Sequence, residues 1–156
     1  MPGPAAKPNE WNERPVADYR SAWIYLCLTL AVHITDEVLT DFLSVYNPTV
    51  EAIRQRFGLP LPTFTFPVWL TGLILAVGVL LILSRFAVNP SRWIVLLGYV
   101  FAILMLGNGL LHISASIYFG RLMPGVYSSP LLLICSTYLL VSVWKRLPAG
   151  HTGVSP

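Results

Sequence analysis

The chain has 156 residues, of which 55% are hydrophobic and only 11% are charged, and its formal net charge is +3. Soluble domains carry about a quarter charged residues, so this composition excludes an ordinary soluble globular protein. The basic residues stand singly or in one pair and form no cluster, which excludes a nucleic-acid-binding surface. Apolar runs of roughly 20 residues recur, the length that an α-helix needs to cross a bilayer. The sequence therefore predicts an all-α, multi-pass membrane protein.

Residues 1–19 are polar and rich in proline, so we predict a disordered N-terminal tail there. The tail is not expected to be a secretory signal, because the first apolar run begins only after it. The first membrane helix is predicted from about Arg20 to about Val45, with Asn47-Pro48 closing it. This helix carries the first polar cluster of the chain.

Between Asn47 and Gly58 the sequence favours a short helix, with a capping asparagine, a proline at the first helical position and a glycine just past the end. We predict that this helix lies at the membrane interface in the first outer loop. The proline-rich segment Leu59–Pro67 then leads to a second membrane helix over about Val68–Phe86. That helix has too little polar content to hold a functional site.

A third membrane helix is predicted over about Arg92–Phe119 and a fourth over about Leu131–Trp144, with the loop Gly120–Pro130 between them. The third is long enough to span a bilayer with some tilt. The predicted architecture is a four-transmembrane-helix bundle in one domain, residues 20–146. Residues 147–156 form a predicted C-terminal tail.

The basic residues also predict an orientation. The N-terminal tail, the second loop and the C-terminal tail share one side of the bundle. They hold Lys7, Arg14, Arg20, Arg85, Arg92, Lys145 and Arg146, whereas the other side holds Arg54, Arg56 and Arg121. Because cytoplasmic loops are enriched in Lys and Arg, we predict a multi-pass protein of the cell membrane with both termini in the cytoplasm.

The sequence AVHITDE (Ala31–Glu37) puts one histidine and two acids inside the first membrane helix. Residues three and four apart share a helix face, so His33, Asp36 and Glu37 are expected to project together. An ionisable residue inside a membrane segment is energetically expensive and is by default a functional hypothesis. The alternative is that the acids mark the outer interface. Against that, the helix is expected to continue to Val45.

A second polar cluster consists of Asn108 and His112, one turn apart in the third membrane helix. Measured from the inner ends of their helices, Glu37 lies about 25 Å along and Asn108 about 24 Å along. We therefore expect the first and third membrane helices to be neighbours that share one site, with Thr29 as a supporting hydrogen-bonding residue. The alternative is that these polar side chains only hold helices together.

Three motifs in chain order resemble those of the HXXEE family of small multi-pass membrane proteins. They are HITDE (His33–Glu37), NGLLH (Asn108–His112) and PGVYSS (Pro124–Ser129). The family is named for a His-x-x-Glu-Glu motif, and it also carries an Asn-x-x-x-His motif and a Pro-Gly-x-x-Thr/Ser element. Asp36 stands where the family name has its first Glu, one methylene shorter.

The resemblance extends over most of the chain, from about Ala22 to Val143. The family has no known function, and its motifs are suspected of forming an active site. The resemblance therefore implies a site to which the third motif also contributes. The supporting residues that it implies are Pro124, Gly125, Ser128 and Ser129.

Two imidazoles, two carboxylates and one carboxamide form a nitrogen and oxygen ligand set that suits Zn²⁺, with Mn²⁺ or Fe²⁺ as alternatives. Two adjacent carboxylates in a low-dielectric bundle cannot both stay ionised cheaply, so either one is protonated or a cation is present. A divalent ion would also lower the pKa of a coordinated water. The predicted ligands are His33, Asp36, Glu37, Asn108 and His112.

The sequence thus predicts a metal-dependent hydrolase of a lipid-like substrate near the outer leaflet, with Glu37 and Asp36 as catalytic residues and membrane lipid as partner. Three alternatives stay open. One is a metal-free isomerase of an apolar substrate, in which Glu37 and His112 shuttle protons. The others are a proton or metal-ion translocator and a non-catalytic membrane interaction module.

Overall fold

Helices make up most of the chain that the structure describes. A computed structural model describes residues 14–146, and the side chains from Tyr19 onward. The predicted C-terminal tail and the first thirteen residues of the predicted N-terminal tail lie outside the described residues. The described part contains no strand, and its five α-helices are α1 (Arg14–Leu39), α2 (Phe42–Phe57), α3 (Phe66–Leu83), α4 (Arg92–Phe119) and α5 (Ser129–Trp144).

Within residues 14–146, three helical segments are long and apolar enough to cross a membrane: Tyr19–Leu39, Phe66–Ala87 and Arg92–Phe119. The second of them is α3 extended by a 3-10 turn, Ser84–Ala87. Helix α5 is apolar but has only 16 residues, a length of about 24 Å. The class predicted from composition, an all-helical membrane protein, agrees with this architecture.

The first membrane helix ends at Leu39 and not at Val45, so its predicted end was wrong. Asp41 adopts a left-handed conformation with φ of 54°, and the Thr40 hydroxyl donates to the Asp36 carbonyl across 2.6 Å. Asp is one of the few residues other than Gly that tolerate positive φ. The chain therefore breaks here without the Gly or Pro that usually marks a helix end.

The pair Asn47-Pro48 lies inside α2 and does not close the first helix, which corrects the second predicted boundary. The Asn47 amide clamps the following loop instead of capping a helix. Its Nδ2 donates to the Phe64 carbonyl across 2.9 Å, and its Oδ1 accepts from the Phe64 N–H across 3.1 Å. Helix α2 is thus longer than the predicted short helix, and it begins immediately after the break at Asp41.

The remaining boundaries lie close to their predicted positions. Helix α1 begins at Arg14, earlier than the expected Arg20, and α3 begins at Phe66. Helix α4 has the predicted bounds. Helix α5 begins at Ser129, so the third motif leads directly into its first turn.

Helix α5 packs along both α1 and α4, while α3 packs on α1 and leaves a gap towards α4. The N-terminal half of α1 is the centre of the core, where Tyr19 and Trp23 are fully buried. Their polar atoms are paired: the Tyr19 hydroxyl donates to the Ile94 carbonyl, and the Trp23 indole N–H donates to the Leu80 carbonyl. These two bonds hold α1 against α4 and α3. They therefore fix the position of the α1 side chains along the axis of the bundle.

Candidate functional site

Three buried side chains from α1 and α4 converge on one point. His33 and Glu37 lie one turn apart on α1, and His112 faces them from α4. The Glu37 Oε1 atom is 3.1 Å from His112 Nε2 and 3.5 Å from His33 Nε2. His33 is 0% exposed, Glu37 6% and His112 8%. We call these three residues the His-Glu cluster.

The loop between α4 and α5 covers the His-Glu cluster through Gly125. This residue has φ of 80°, and a Cβ built on it would lie 2.8 Å from His112 Cε1 and 3.1 Å from His33 Cε1. No side chain fits there. The Gly125 carbonyl accepts from the Ser129 hydroxyl across 2.7 Å, which holds the loop on the first turn of α5.

Ser128 connects Asp36 to His33. The Asp36 Oδ2 atom accepts from the Ser128 backbone N–H across 2.9 Å and from its hydroxyl across 2.7 Å. Ser128 Oγ is also 2.8 Å from His33 Nδ1. Because a serine hydroxyl has only one proton, which it gives to the carboxylate, Oγ accepts from His33 Nδ1–H. This tautomer leaves the Nε2 lone pair of His33 facing the His-Glu cluster.

Asn108 borders the His-Glu cluster on α4, one turn before His112. Its Nδ2 atom is 3.2 Å from His33 Nε2 and donates to the lone pair there. The amide is therefore within reach of whatever the three clustered atoms bind. Its predicted role as a ligand stays a prediction.

The His-Glu cluster could hold a metal ion. One atom from each of the three residues lies within 4.8 Å of the others. In a tetrahedral site with bonds of about 2.0–2.1 Å, ligand atoms are about 3.3 Å apart. The two measured edges, 3.1 and 3.5 Å, lie on either side of that value. Two imidazole nitrogens and one carboxylate oxygen are also a donor set that Zn²⁺ accepts.

Asp36 is not one of the three clustered residues, and its predicted role as a ligand stays a prediction. Successive residues point about 100° apart around a helix, so the two adjacent acids face different directions here. Glu37 faces the two imidazoles, whereas both measured contacts of the Asp36 side chain are with Ser128. Asp36 instead positions His33 through the serine.

The predicted supporting residues lie at different places. Ser128, Ser129 and Gly125 all hold or cover the His-Glu cluster, as described above. Pro124 lines a cavity beside His112. The Thr29 hydroxyl donates to Cys135 Sγ across 3.2 Å and makes no measured contact with the cluster.

Phe42, at the start of α2, was not recognised from the sequence. Its ring centroid is 5.7 Å from that of His112 and 5.8 Å from that of Trp69 on α3. The predicted first membrane helix runs to Val45 and includes Phe42, and a residue inside that helix is not expected to contact His112. The only sequence signal was Asp41, a residue type that tolerates the positive φ of the break.

Helix α1 ends two residues after Glu37, so the argument against an interface position that rested on helix continuation fails. The burial of Glu37 replaces that argument. An acid marking a membrane surface is exposed to water, whereas Glu37 is covered by its two histidine partners and is only 6% exposed. Its environment is that of an internal site.

Two apolar cavities flank the His-Glu cluster. The larger has a volume of about 630 Å³, lies between α1, α3 and α4, and reaches His33, Glu37 and Asn108. The smaller has a volume of about 360 Å³, lies beside α2, and reaches Asn108 and His112. The His-Glu cluster thus lies between two hydrocarbon-lined spaces.

Comparison with known proteins gives one match. A family model described as "Protein of unknown function with HXXEE motif" matches residues 23–140. No curated protein and no solved structure matches the chain. The matched range contains α2, α3 and α4 entire, together with all three motifs.

Proposed function

Because this chain belongs to the HXXEE family, whose function is unknown, we propose its function from the site itself: it binds one divalent metal ion through His33, Glu37 and His112. The observation that carries this proposal is the convergence of two imidazole Nε2 atoms on one carboxylate oxygen. Zn²⁺ is the preferred ion, with Mn²⁺ or Fe²⁺ as alternatives.

The charges of the site support a cation. An ionised carboxylate buried in a membrane segment is costly unless a positive charge lies beside it. Among the described residues, the measured ionic contacts of Glu37 are both with histidine, which is neutral unless protonated. With neutral histidines, a divalent ion cancels the charges of Glu37 and Asp36.

The hydrogen bonds of His33 support a metal ligand in particular. A metal-ligating histidine commonly donates its second ring N–H to a carboxylate or another acceptor, which fixes the tautomer and the ring orientation. Here the acceptor is Ser128 Oγ, which in turn donates to Asp36. The Nε2 atom of His33 is therefore the unprotonated ring nitrogen, and an ion that binds there would replace the hydrogen bond from Asn108.

We propose that the chemistry of this centre is hydrolysis of an ester or amide in a lipid-like molecule. When bound, the ion supplies a Lewis acid and a water that ionises near neutral pH. The Asn108 amide lies where it can donate to a substrate oxygen, and the larger cavity gives an apolar chain access to the same point. Membrane lipid is accordingly the proposed partner.

The test is metal content and esterase activity of detergent-purified protein, with a long-chain p-nitrophenyl ester as probe. Wild-type protein should carry close to one ion per chain and hydrolyse the ester, and His112→Ala should lose both. Glu51→Gln, which alters an exposed acid on α2, is the control and should lose neither. Protein that holds no metal and gains no activity with added Zn²⁺ or Mn²⁺ would contradict the proposal.

A second function, metal-free acid–base isomerisation of an apolar substrate, is favoured by one contact. Glu37 Oε1 and His112 Nε2 are 3.1 Å apart in a site of low exposure, which suits a pair that exchanges a proton. The same purified protein separates the two functions. An isomerase keeps its activity in the presence of a chelator, whereas the proposed hydrolase loses it.

We also propose that α1, α3, α4 and α5 all cross the membrane, with α2 at the interface and both termini in the cytoplasm. The Arg146 guanidinium lies 4.9 Å from the Tyr19 ring centroid, so the end of α5 is beside the start of the first span. An even number of crossings returns the chain to the side on which it started, and this contact supports such a return.

Cysteine labelling tests this topology. Thr63→Cys should react with a membrane-impermeant reagent from outside the cell, and Val88→Cys only after permeabilisation. The unaltered protein is the control for background labelling, since its two cysteines lie inside helices. The reverse pattern would invert the orientation, and labelling of both positions from one side would contradict the four crossings.

A further inference from the structure

We propose that the larger cavity is a groove for a single acyl chain, whose ester or amide end lies at the His-Glu cluster; this inference rests on the proposed function and names its substrate class. The groove has a volume of about 630 Å³. Of the residues that line it, only His33, Glu37 and Asn108 are polar, and all three lie at one end. A molecule that fits must be polar at one end and hydrocarbon along the rest.

The length of the groove fits one leaflet of a bilayer. Along α4 it extends from Leu97 to Asn108, and along α3 from Gly72 to Leu83. Each of these stretches rises about 16 Å. Half of a hydrocarbon core about 30 Å thick is nearly the same length. The groove is therefore as long as an acyl chain that extends from the membrane surface to the midplane.

The polar end of the groove lies in the outer half of the membrane spans. Glu37 lies two residues, about 3 Å of helix, before the end of the apolar span Tyr19–Leu39, whereas Asn108 lies eleven residues, about 16 Å, before the end of Arg92–Phe119. An acyl chain in the groove therefore has its carbonyl end in the outer half of the membrane spans, where the His-Glu cluster lies.

The groove is open to the bilayer from the side. Helix α3 packs on α1 and not along α4, so the gap between α3 and α4 is the open face. Groove residues on both rims are exposed: Leu75 is 63% exposed, Val79 54% and Leu104 60%. A lipid chain can enter through this gap without leaving hydrocarbon surroundings.

Photo-crosslinking tests the proposal. The probe is palmitoyl methyl ester with a diazirine near its chain end, added to the purified protein in phosphatidylcholine nanodiscs. Crosslinks should concentrate on Leu83 and Leu97, at the apolar end of the groove. Ile74 and Ile82, which are exposed on α3 outside the groove, should be labelled much less. Equal labelling of all four positions would show only general lipid contact and would overturn the proposal.

Two glycines of α3 form a matched pair of variants. A Cβ at Gly72 or at Gly78 meets nothing within 4 Å, so both positions accept a larger side chain. Only Gly72 lines the groove. Gly72→Trp should lower crosslinking at Leu83 and Leu97 by about tenfold, equivalent to 1.4 kcal/mol of binding, and Gly78→Trp should leave it unchanged. No difference between the variants would overturn the groove.

The crosslinking experiment tests the groove independently of the metal site, because crosslinking needs no ion. If His112→Ala loses metal but keeps the labelling pattern, both proposals stand. If the wild type carries no metal but the glycine pair differs as expected, the groove stands and the metal centre fails. If Gly72→Trp keeps both its metal and its labelling, the metal centre stands and the groove fails.

Discussion

Gly125→Ala is expected to disrupt the His-Glu cluster. The substitution puts a non-glycine residue at φ of 80° and brings its Cβ within 2.9 Å of His112 Nδ1. Left-handed backbone costs about 1–2 kcal/mol for such a residue, and overpacking adds about 1–3 kcal/mol. We expect a lower melting temperature and loss of the bound metal, because the His112 ring has to move.

Gly120→Ala is the matched control for this prediction. Gly120 also has positive φ, of 61°, but a Cβ there meets nothing within 4 Å. It should show only the backbone cost of about 1–2 kcal/mol and keep its metal. Thermal unfolding and metal analysis of the two variants measure the difference. Similar behaviour of both would mean that contact with the imidazoles is not what requires glycine at Gly125.

The second large effect concerns stabilisation by the ion. A ligand that binds only folded protein stabilises it by about 2.7 kcal/mol at a free concentration 100 times its Kd. Added Zn²⁺ should therefore raise the melting temperature of metal-free wild type. Glu37→Gln should abolish this shift, because a neutral amide is a poor substitute for the carboxylate. Glu51→Gln should show the full shift.

Ser128→Ala should give an intermediate result in the same titration. It removes the hydroxyl that links Asp36 to His33 but leaves all three proposed ligands in place. Loss of such an orienting group typically costs about 10–100-fold in metal affinity. Ser136→Ala is the control, since this buried serine bonds only within α5, to the Leu132 carbonyl. Equal Zn²⁺ affinity of both serine variants would contradict the orienting role of Ser128.

Local sequence determined the class of the protein and the content of the His-Glu cluster. Apolar segments of membrane length follow from composition. The spacing of His33 and Glu37, and that of Asn108 and His112, follows from helical periodicity alone. These features depend on residues within a turn or two of each other. They were therefore accessible without any knowledge of how the helices pack.

The different contacts of the two adjacent acids, Asp36 and Glu37, follow only from the tertiary structure. Both occur in the same motif, and the sequence assigned both to the metal. The loop before α5 resolves the ambiguity by presenting the Ser128 N–H and hydroxyl to Asp36. Glu37 is then left with the two imidazoles. That choice depends on residues more than ninety positions away in the chain.

The break after α1 is the second feature that packing decided. Neither Gly nor Pro marks it, and the run from Val38 to Val45 has the composition of a continuing helix. The cost of left-handed backbone at Asp41 is offset by contacts that exist only once the helices assemble. They include Phe42 on Trp69 and His112, and the Gly125 N–H on the Thr40 hydroxyl. The sequence indicates the local conformational preference of the chain. At this break, contacts between residues distant in the sequence outweigh that preference.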